Sequence, residues 1–123
     1  MRSIVIAATW LLTLGGTVNA EELVIGRWCD RMAPAMPKLN RIVTIRINDA
    51  GTAELYSAFG DGSESTSPLD EISGGTFRVR DSSDGDTYRI VQSSGEIQLL
   101  DKDGFIRSAS RLENVPTPGE CNR

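Results

Sequence analysis

The chain has 123 residues, of which 39% are hydrophobic and 24% are charged, and its formal net charge is −4. It contains no histidine, so the commonest general base, the usual catalytic triad and most zinc sites are excluded. The acidic balance disfavours nucleic acid and anionic lipid as partners, because both repel a negative surface.

The first twenty residues have the pattern of a secretory signal peptide. Arg2 supplies the positive start, and an apolar run of about eleven residues extends from residue 4 to residue 14. A membrane-spanning helix needs about 20 apolar residues, so this run is too short for one. We therefore predict a signal peptide over residues 1–20, with cleavage near Ala20, and a single periplasmic or secreted domain over residues 21–123 without a transmembrane segment.

Two cysteines lie near the two ends of the predicted domain, at Cys29 and Cys121. Exported proteins fold in an oxidising compartment, where such a pair forms a disulfide. The closed loop would hold about 90 residues, for which chain-entropy models give about 4–5 kcal/mol of stabilisation. A redox pair is disfavoured, because the C-x-x-C spacing is missing.

Short stretches of alternating apolar and polar residues follow one another along the predicted domain, separated by glycine-containing turns. In the stretch 41–47, Val43, Ile45 and Ile47 share one face. Residues 101–104 carry the Asp-Gly hairpin signature. The predicted strands cover residues 22–28, 41–47, 52–58, 68–72, 76–80, 87–92, 96–100 and 105–112.

These eight candidates recur about every ten residues, with connections short enough for antiparallel pairing between sequence neighbours. The predicted fold is all-β: about eight short antiparallel strands in a meander, forming a small β-barrel or a compact sandwich. Residues 60–67 are expected to form a polar loop. Pro68 lacks an amide donor, so the strand that it begins is expected at a sheet edge.

The tripeptide Gly26-Arg27-Trp28 resembles the Gly-x-Trp signature of the lipocalin and wider calycin barrels. The resemblance implies that Trp28 is structural and packs across the closed end of a barrel, with Arg107 or Arg111 of the last strand over its ring. It also implies a long first loop, a place that residues 30–40 occupy. An eight-stranded barrel is either filled by its own side chains or holds one small ligand.

The segment from Ser82 to Tyr88 is similar to the Ser-x-Ser-Gly-x-x-Tyr loop of periplasmic inhibitors of C-type lysozyme, which are also small barrels. In that family the loop enters the lysozyme cleft. Asp84 stands here where the family has its second serine. Within this loop, Ser83 and Tyr88 are the candidate binding residues.

Two further groups are candidates for binding. Met32, Met36 and Leu39 are expected to form either an adaptable apolar lip or a plug over an open barrel end. The outward-facing arginines of the strands would form either a basic stripe for a carboxylate-bearing partner or a solvated face with cross-strand ion pairs. These arginines are Arg46, Arg78, Arg80 and Arg89.

Acidic residues cluster at 61–64, 81–86 and 101–103, where turns are predicted. Calcium needs six to eight oxygen ligands, and none of the clusters completes an EF-hand loop. Aspartate, serine and glycine are also the residues that turns require. Since no phosphate-binding glycine loop is present either, we predict neither a metal site nor a cofactor.

The sequence therefore predicts an exported, non-catalytic binding module, whose partner is an unidentified protein or envelope component. Two alternatives remain open. One is a lipocalin-like carrier of a small apolar ligand, and the other is an inhibitor of a cell-wall hydrolase such as lysozyme.

Overall fold

The computed structural model describes residues 23–31 and 40–114, together with Cys121. Within these residues, eight antiparallel strands follow one another as a meander, and β1 pairs with β8 to close a barrel. The all-β prediction is confirmed, and of its two architectures the barrel is the one observed. The strands are β1 (Leu23–Asp30), β2 (Arg41–Ile47), β3 (Ala53–Phe59), β4 (Glu64–Ser73), β5 (Thr76–Val79), β6 (Thr87–Ile90), β7 (Ile97–Asp101) and β8 (Gly104–Arg111), and a short 3₁₀ helix (Leu112–Asn114) follows.

Local sequence fixes the strand pairings, as the turn between β2 and β3 illustrates. The Asn48 side-chain oxygen accepts hydrogen bonds from the backbone amides of Ala50 and Thr52, both at 3.0 Å. Gly51 adopts a φ of 82°, which other residues rarely tolerate. The turn places Ile47 opposite Ala53, and the register continues unbroken to Arg41 opposite Phe59.

Alternate residues of each strand point into the barrel and form its core. Trp28, Val43, Ile45 and Ile97 are all 0% exposed. Full burial of such a side chain is worth about 1.5–3 kcal/mol. The remaining members of this buried cluster are Ala53, Leu55, Leu69, Phe77, Tyr88, Leu99 and Ala109.

Strand β4 differs from the prediction, because it begins at Glu64 inside the expected loop and runs for 10 residues. Its first half pairs with β3 and its second half pairs with β5, so it joins the two halves of the barrel. Pro68 lies at the changeover, where its carbonyl accepts a hydrogen bond from the Arg80 amide at 2.9 Å. The N and C=O of one strand residue point to the same side, so the missing amide faces the end of β5 and costs no ladder bond to β3.

The predicted disulfide is confirmed. Cys29 on β1 is bonded to Cys121, which follows it by 92 positions in sequence, and the two Cα atoms are 5.3 Å apart. Both cysteines are buried. The bond ties the C-terminal part of the chain to β1, next to the seam where Cys29 pairs with Ser110 of β8.

The barrel has two ends, which differ in the side chains that fill them. We call the end with turns 48–52, 74–75 and 91–96 the tryptophan end, because Trp28 closes it. We call the end with turns 60–63, 80–86 and 102–103 the charged end, because Asp30, Arg41 and Arg107 lie inside the barrel there.

Among the residues described, no helix has the length and apolar character needed to cross a membrane.

Candidate functional site

At the tryptophan end, the indole of Trp28 lies directly over Gly26. A Cβ atom on Gly26 would come within 2.6 Å of Trp28 Cη2, so only glycine fits beneath the ring. The indole Nε1 donates a hydrogen bond to the carbonyl of Gly95 at 2.7 Å. The Arg111 guanidinium lies 5.9 Å from the ring centroid. Arg111 is thus the arginine over the ring, whereas Arg107 lies at the opposite end of the barrel.

At the charged end, the buried carboxylate of Asp30 holds two arginines. Arg107 donates from Nε to Asp30 Oδ1 at 2.7 Å and from Nη2 to Oδ2 at 2.8 Å, a bidentate arrangement. Arg41 donates from Nε to Oδ2 at 2.8 Å. The Asp30 side chain is 1% exposed, compared with 11% for Arg41 and 27% for Arg107. Both carboxylate oxygens are therefore engaged, and Arg107 is the more accessible cation.

Strand alternation brings Asp30 and Arg41 to the inside of the barrel. Asp30 follows Gly26 and Trp28 on the inward face of β1, and Arg41 precedes Val43 on the inward face of β2. The two residues lie opposite each other in the β1–β2 ladder. A cross-strand ion pair of this kind requires no special backbone geometry.

A β-bulge brings Arg107 to the inside as well. Leu99 pairs with Arg107 and Leu100 pairs with Phe105, so Ile106 is an extra residue in β8. The extra residue shifts the alternation of inward and outward positions by one. As a result Phe105 faces outward with 59% of its surface exposed, while Arg107 faces Asp30.

Arg41 is also held by a second set of partners inside the barrel. It donates from Nη1 to Ser57 Oγ at 3.0 Å and from Nη2 to the Tyr88 hydroxyl at 3.2 Å. Its guanidinium lies 5.9 Å from the ring centroid of Phe59. Because the Tyr88 oxygen accepts from Arg41, the hydroxyl proton of Tyr88 remains available for donation to another group.

The charges in this cluster stabilise one another. Burial alone would raise the pKa of Asp30, but the hydrogen bonds from Arg107 and Arg41 outweigh it and hold the pKa below its ordinary value. Burial would likewise lower the pKa of Arg41, but Tyr88 and Asp30 raise it above its ordinary value. The cluster of Asp30, Arg41 and Arg107 pairs two guanidinium groups with one carboxylate, so it carries one surplus positive charge.

A pocket of about 270 Å³ opens beside the cluster. Arg41, Arg107 and Tyr88 contribute polar groups to its lining, and Leu100 and Ile106 contribute apolar surface. Asp86, from the connection between β5 and β6, also lines it. The charged end therefore combines cationic donors, a hydroxyl and exposed apolar surface within one concave site.

The outward arginines lie on the barrel exterior and make contacts across the strands. Arg46 pairs with Glu54 at 2.9 Å, Arg80 pairs with Asp70 at 2.7 Å, and Arg89 donates to Gln98 at 2.7 Å. Arg46 also lies 4.8 Å from the ring centroid of Tyr56. The exposed Arg78 of β5 pairs in the ladders with Asp70 and Thr87.

The structure separates the other candidate binding residues. Ser83 is exposed in the loop between β5 and β6, whereas Tyr88 is buried inside the barrel. Asp81 has a φ of 66°, and the Asp84 carbonyl accepts a hydrogen bond from the Lys102 amide at 2.8 Å, which fixes the loop against the β7–β8 turn. Met32, Met36 and Leu39 lie outside the described residues.

Sequence reasoning missed Asp30 and Arg41 as site residues. The first strand was expected to end at residue 28, which placed Asp30 in the following loop. Arg41 has the same parity as Val43 and Ile45, and this was the available signal that its side chain faces inward. The extra residue at Ile106 left no comparable signal, because a bulge has no fixed sequence pattern.

Comparison of the chain with protein-family models, with curated proteins and with solved structures finds no match. The class of protein is therefore defined by the fold and the site alone. It is a small, disulfide-closed, eight-stranded meander barrel with a charged cluster inside one end. Within the described part of the chain, no group of three or more acidic or cysteine side chains is placed to hold a metal ion.

Proposed function

We propose that this protein is an exported, non-catalytic binding module that engages its partner through the charged end. The main observation in support is the cluster of Asp30, Arg41 and Arg107 beside an open pocket. Export is supported by the signal-like pattern of residues 1–20 and by the disulfide, which is typical of oxidising compartments.

The energetics of the cluster favour a role in binding over a role in stability. Burying ions costs several kcal/mol each, and a buried ion pair is often no more stabilising than apolar residues of similar volume. The tryptophan end shows that this barrel can be closed by an aromatic ring. Two arginines on one carboxylate leave more guanidinium N–H groups than the carboxylate accepts, and an anionic partner group would accept from the rest.

The same cluster is poorly suited to acid–base catalysis. Both oxygens of Asp30 are occupied by guanidinium donors, and the pKa of Asp30 lies below its ordinary value. A general acid or base needs a pKa near the working pH and access to the substrate proton. Arginine remains protonated throughout this range. These properties support binding rather than turnover.

Two exposed isoleucines provide a matched test of the binding end. Ile106 at the charged end is 47% exposed, and Ile72 near the tryptophan end is 58% exposed. The oxidised domain, carrying Ile106→Glu or Ile72→Glu, would be used to capture partners from an envelope extract. We expect Ile106→Glu to abolish capture of the component that the wild type retains, and Ile72→Glu to leave it unchanged. Equal loss in both variants, or turnover of a substrate by the domain, would contradict the proposal.

The carrier alternative requires an apolar cavity in the barrel interior. The fully buried side chains of Trp28, Val43, Ile45 and Ile97 occupy that interior. Ionised groups also fill the barrel at the charged end. These features support the binding module over the carrier.

A second candidate function is inhibition of a cell-wall hydrolase by the loop between β5 and β6. The loop is fixed by the bond between the Lys102 amide and the Asp84 carbonyl, and it presents the exposed Ser83 at the charged end. A preordered loop binds at a lower entropic cost than a flexible one. Lysozyme inhibition by the wild type, weakened in Ser83→Ala, is the expected result. Unimpeded lysozyme would remove this candidate.

A further inference from the structure

We propose that the pocket at the charged end binds the C-terminal carboxylate of a polypeptide, with the side chain of the last residue against Ile106 and Leu100. This inference rests on the proposed function and names the chemical group that the charged end recognises. Three features support it: the hydrogen-bond donors that remain unused in the cluster, the size of the pocket and its apolar wall.

The donors are more numerous than the acceptors available within the cluster. A guanidinium has five N–H groups. Arg107 uses two of them on Asp30, and its Nη1 makes no hydrogen bond to the described residues. The Tyr88 hydroxyl retains its proton for donation, as its oxygen accepts from Arg41. Guanidinium and hydroxyl donors around one pocket match a carboxylate, which accepts through both of its oxygens.

The pocket fits the end of a chain better than its middle. Its volume of about 270 Å³ lies just below the range of about 300–1,000 Å³ for small-molecule sites. A terminal residue brings a carboxylate and one side chain into such a space, whereas an internal acidic residue brings two continuing chain segments. Ile106 lines the pocket and is 47% exposed, so an apolar last residue would cover surface that otherwise faces water.

Asp86 is the acidic side chain that lines the pocket beside the arginines, so it affects how strongly an anion binds there. Its negative charge cancels the surplus positive charge of the cluster and opposes an incoming carboxylate, so binding depends on the hydrogen bonds that Arg107 and the Tyr88 hydroxyl donate. Neutralising Asp86 should therefore strengthen binding, whereas neutralising Arg107 should weaken it. Opposite effects from two side chains of one pocket distinguish an anion site from a general loss of folding.

The test is an NMR titration of the oxidised domain with acetyl-Gly-Ala-Leu, which has a free C-terminal carboxylate. We expect shifts at the Arg41 and Arg107 side-chain N–H signals and at the Ile106 amide. The same peptide as its C-terminal amide should bind at least about tenfold more weakly, because it loses the charge-assisted bonds. Arg107→Gln should weaken binding by about tenfold, and Asp86→Asn should strengthen it by about two- to fivefold. Arg80→Gln, which removes an exterior cation paired with Asp70, should leave the affinity unchanged.

Equal affinity for the acid and the amide, no binding of either, or weaker binding by Asp86→Asn would each overturn the inference. The affinity of Asp86→Asn for the peptide still tests the anion site if Arg107→Gln fails to fold. Tighter binding of acetyl-Gly-Glu-Leu amide than of acetyl-Gly-Ala-Leu would assign the site to an acidic side chain and refute the terminal carboxylate. If capture of a partner depends on Ile106 but the free-acid peptide does not bind, this inference is wrong and the proposed function is still supported.

Discussion

At the scale of single residues, Asp30 decides whether the charged end forms. Its carboxylate is the acceptor shared by Arg41 and Arg107, and its side chain is almost completely buried. If Asp30 were lost, two guanidinium groups would remain close together without a counter-charge. Removing one partner of a buried ion pair typically costs about 3–5 kcal/mol.

Asp30→Asn should therefore lower the free energy of unfolding at pH 7 by about 3–5 kcal/mol, as measured by urea denaturation. The pKa of Asp30 is lowered in the folded state from 3.8, so its contribution is present above about pH 4 and disappears as the pH falls through the folded pKa. The stabilities of the wild type and Asp30→Asn should converge as the pH falls to 3 and below. The control is Asp70→Asn on the exposed pair with Arg80, which should change stability little. Parallel stability curves for the wild type and Asp30→Asn from pH 7 to pH 3 would refute this role of Asp30.

At the tryptophan end, Gly26 determines whether the Trp28 ring can pack in its place. Gly26→Ala would push a methyl group into the Trp28 ring at 2.6 Å, and overpacking of this kind typically costs about 1–3 kcal/mol. The matched control is Gly74→Ala, whose added Cβ has nothing within 4 Å. We expect a lower thermal midpoint and a changed Trp28 fluorescence for Gly26→Ala alone. Equal midpoints for the two variants would show that the ring does not depend on Gly26.

At the scale of elements, the sequence specified most strands because each has an alternating apolar face and a recognisable turn. Residues 41–47 were predicted with the observed bounds of β2. Strand β4 was misjudged because Pro68 and the polar residues before it resemble a loop, whereas a barrel strand can change partners at a proline. The Gly-x-Trp tripeptide indicated Trp28 at one end of a barrel through its resemblance to calycin barrels, and it left Arg107 and Arg111 as alternatives for the arginine over the ring.

The charged end could not be predicted in the same way, because it is assembled from distant positions. Asp30 and Arg107 are 77 residues apart, and they meet only after β1 pairs with β8. Phe105 faces outward, and regular alternation would make Arg107 face outward too. The extra residue Ile106 shifts the alternation by one, so Arg107 faces inward. Such a site depends on closure of the barrel and on a one-residue shift in register.

At the scale of the whole molecule, the barrel keeps its two ends distinct. The tryptophan end is closed on the inside by a ring with its own hydrogen bond, and a pocket of about 560 Å³ lies outside that ring beside Gly26 and Arg111. The charged end instead has buried ion pairs inside the barrel beside its pocket. The disulfide spans 92 positions, and loops of that length give about 4–5 kcal/mol in chain-entropy models. A stable, closed scaffold of this kind is consistent with the binding module and the export that we propose.

Hydrogen exchange of the captured complex, compared with the free oxidised domain, tests the central claim most directly. Turns 60–63, 80–86 and 102–103 belong to the charged end, and turns 48–52, 74–75 and 91–96 belong to the tryptophan end. We expect slower amide exchange in the first set and in the neighbouring Phe105–Ile106 segment, with the second set unchanged. Protection confined to the turns at the tryptophan end would contradict the assignment of the charged end as the binding surface.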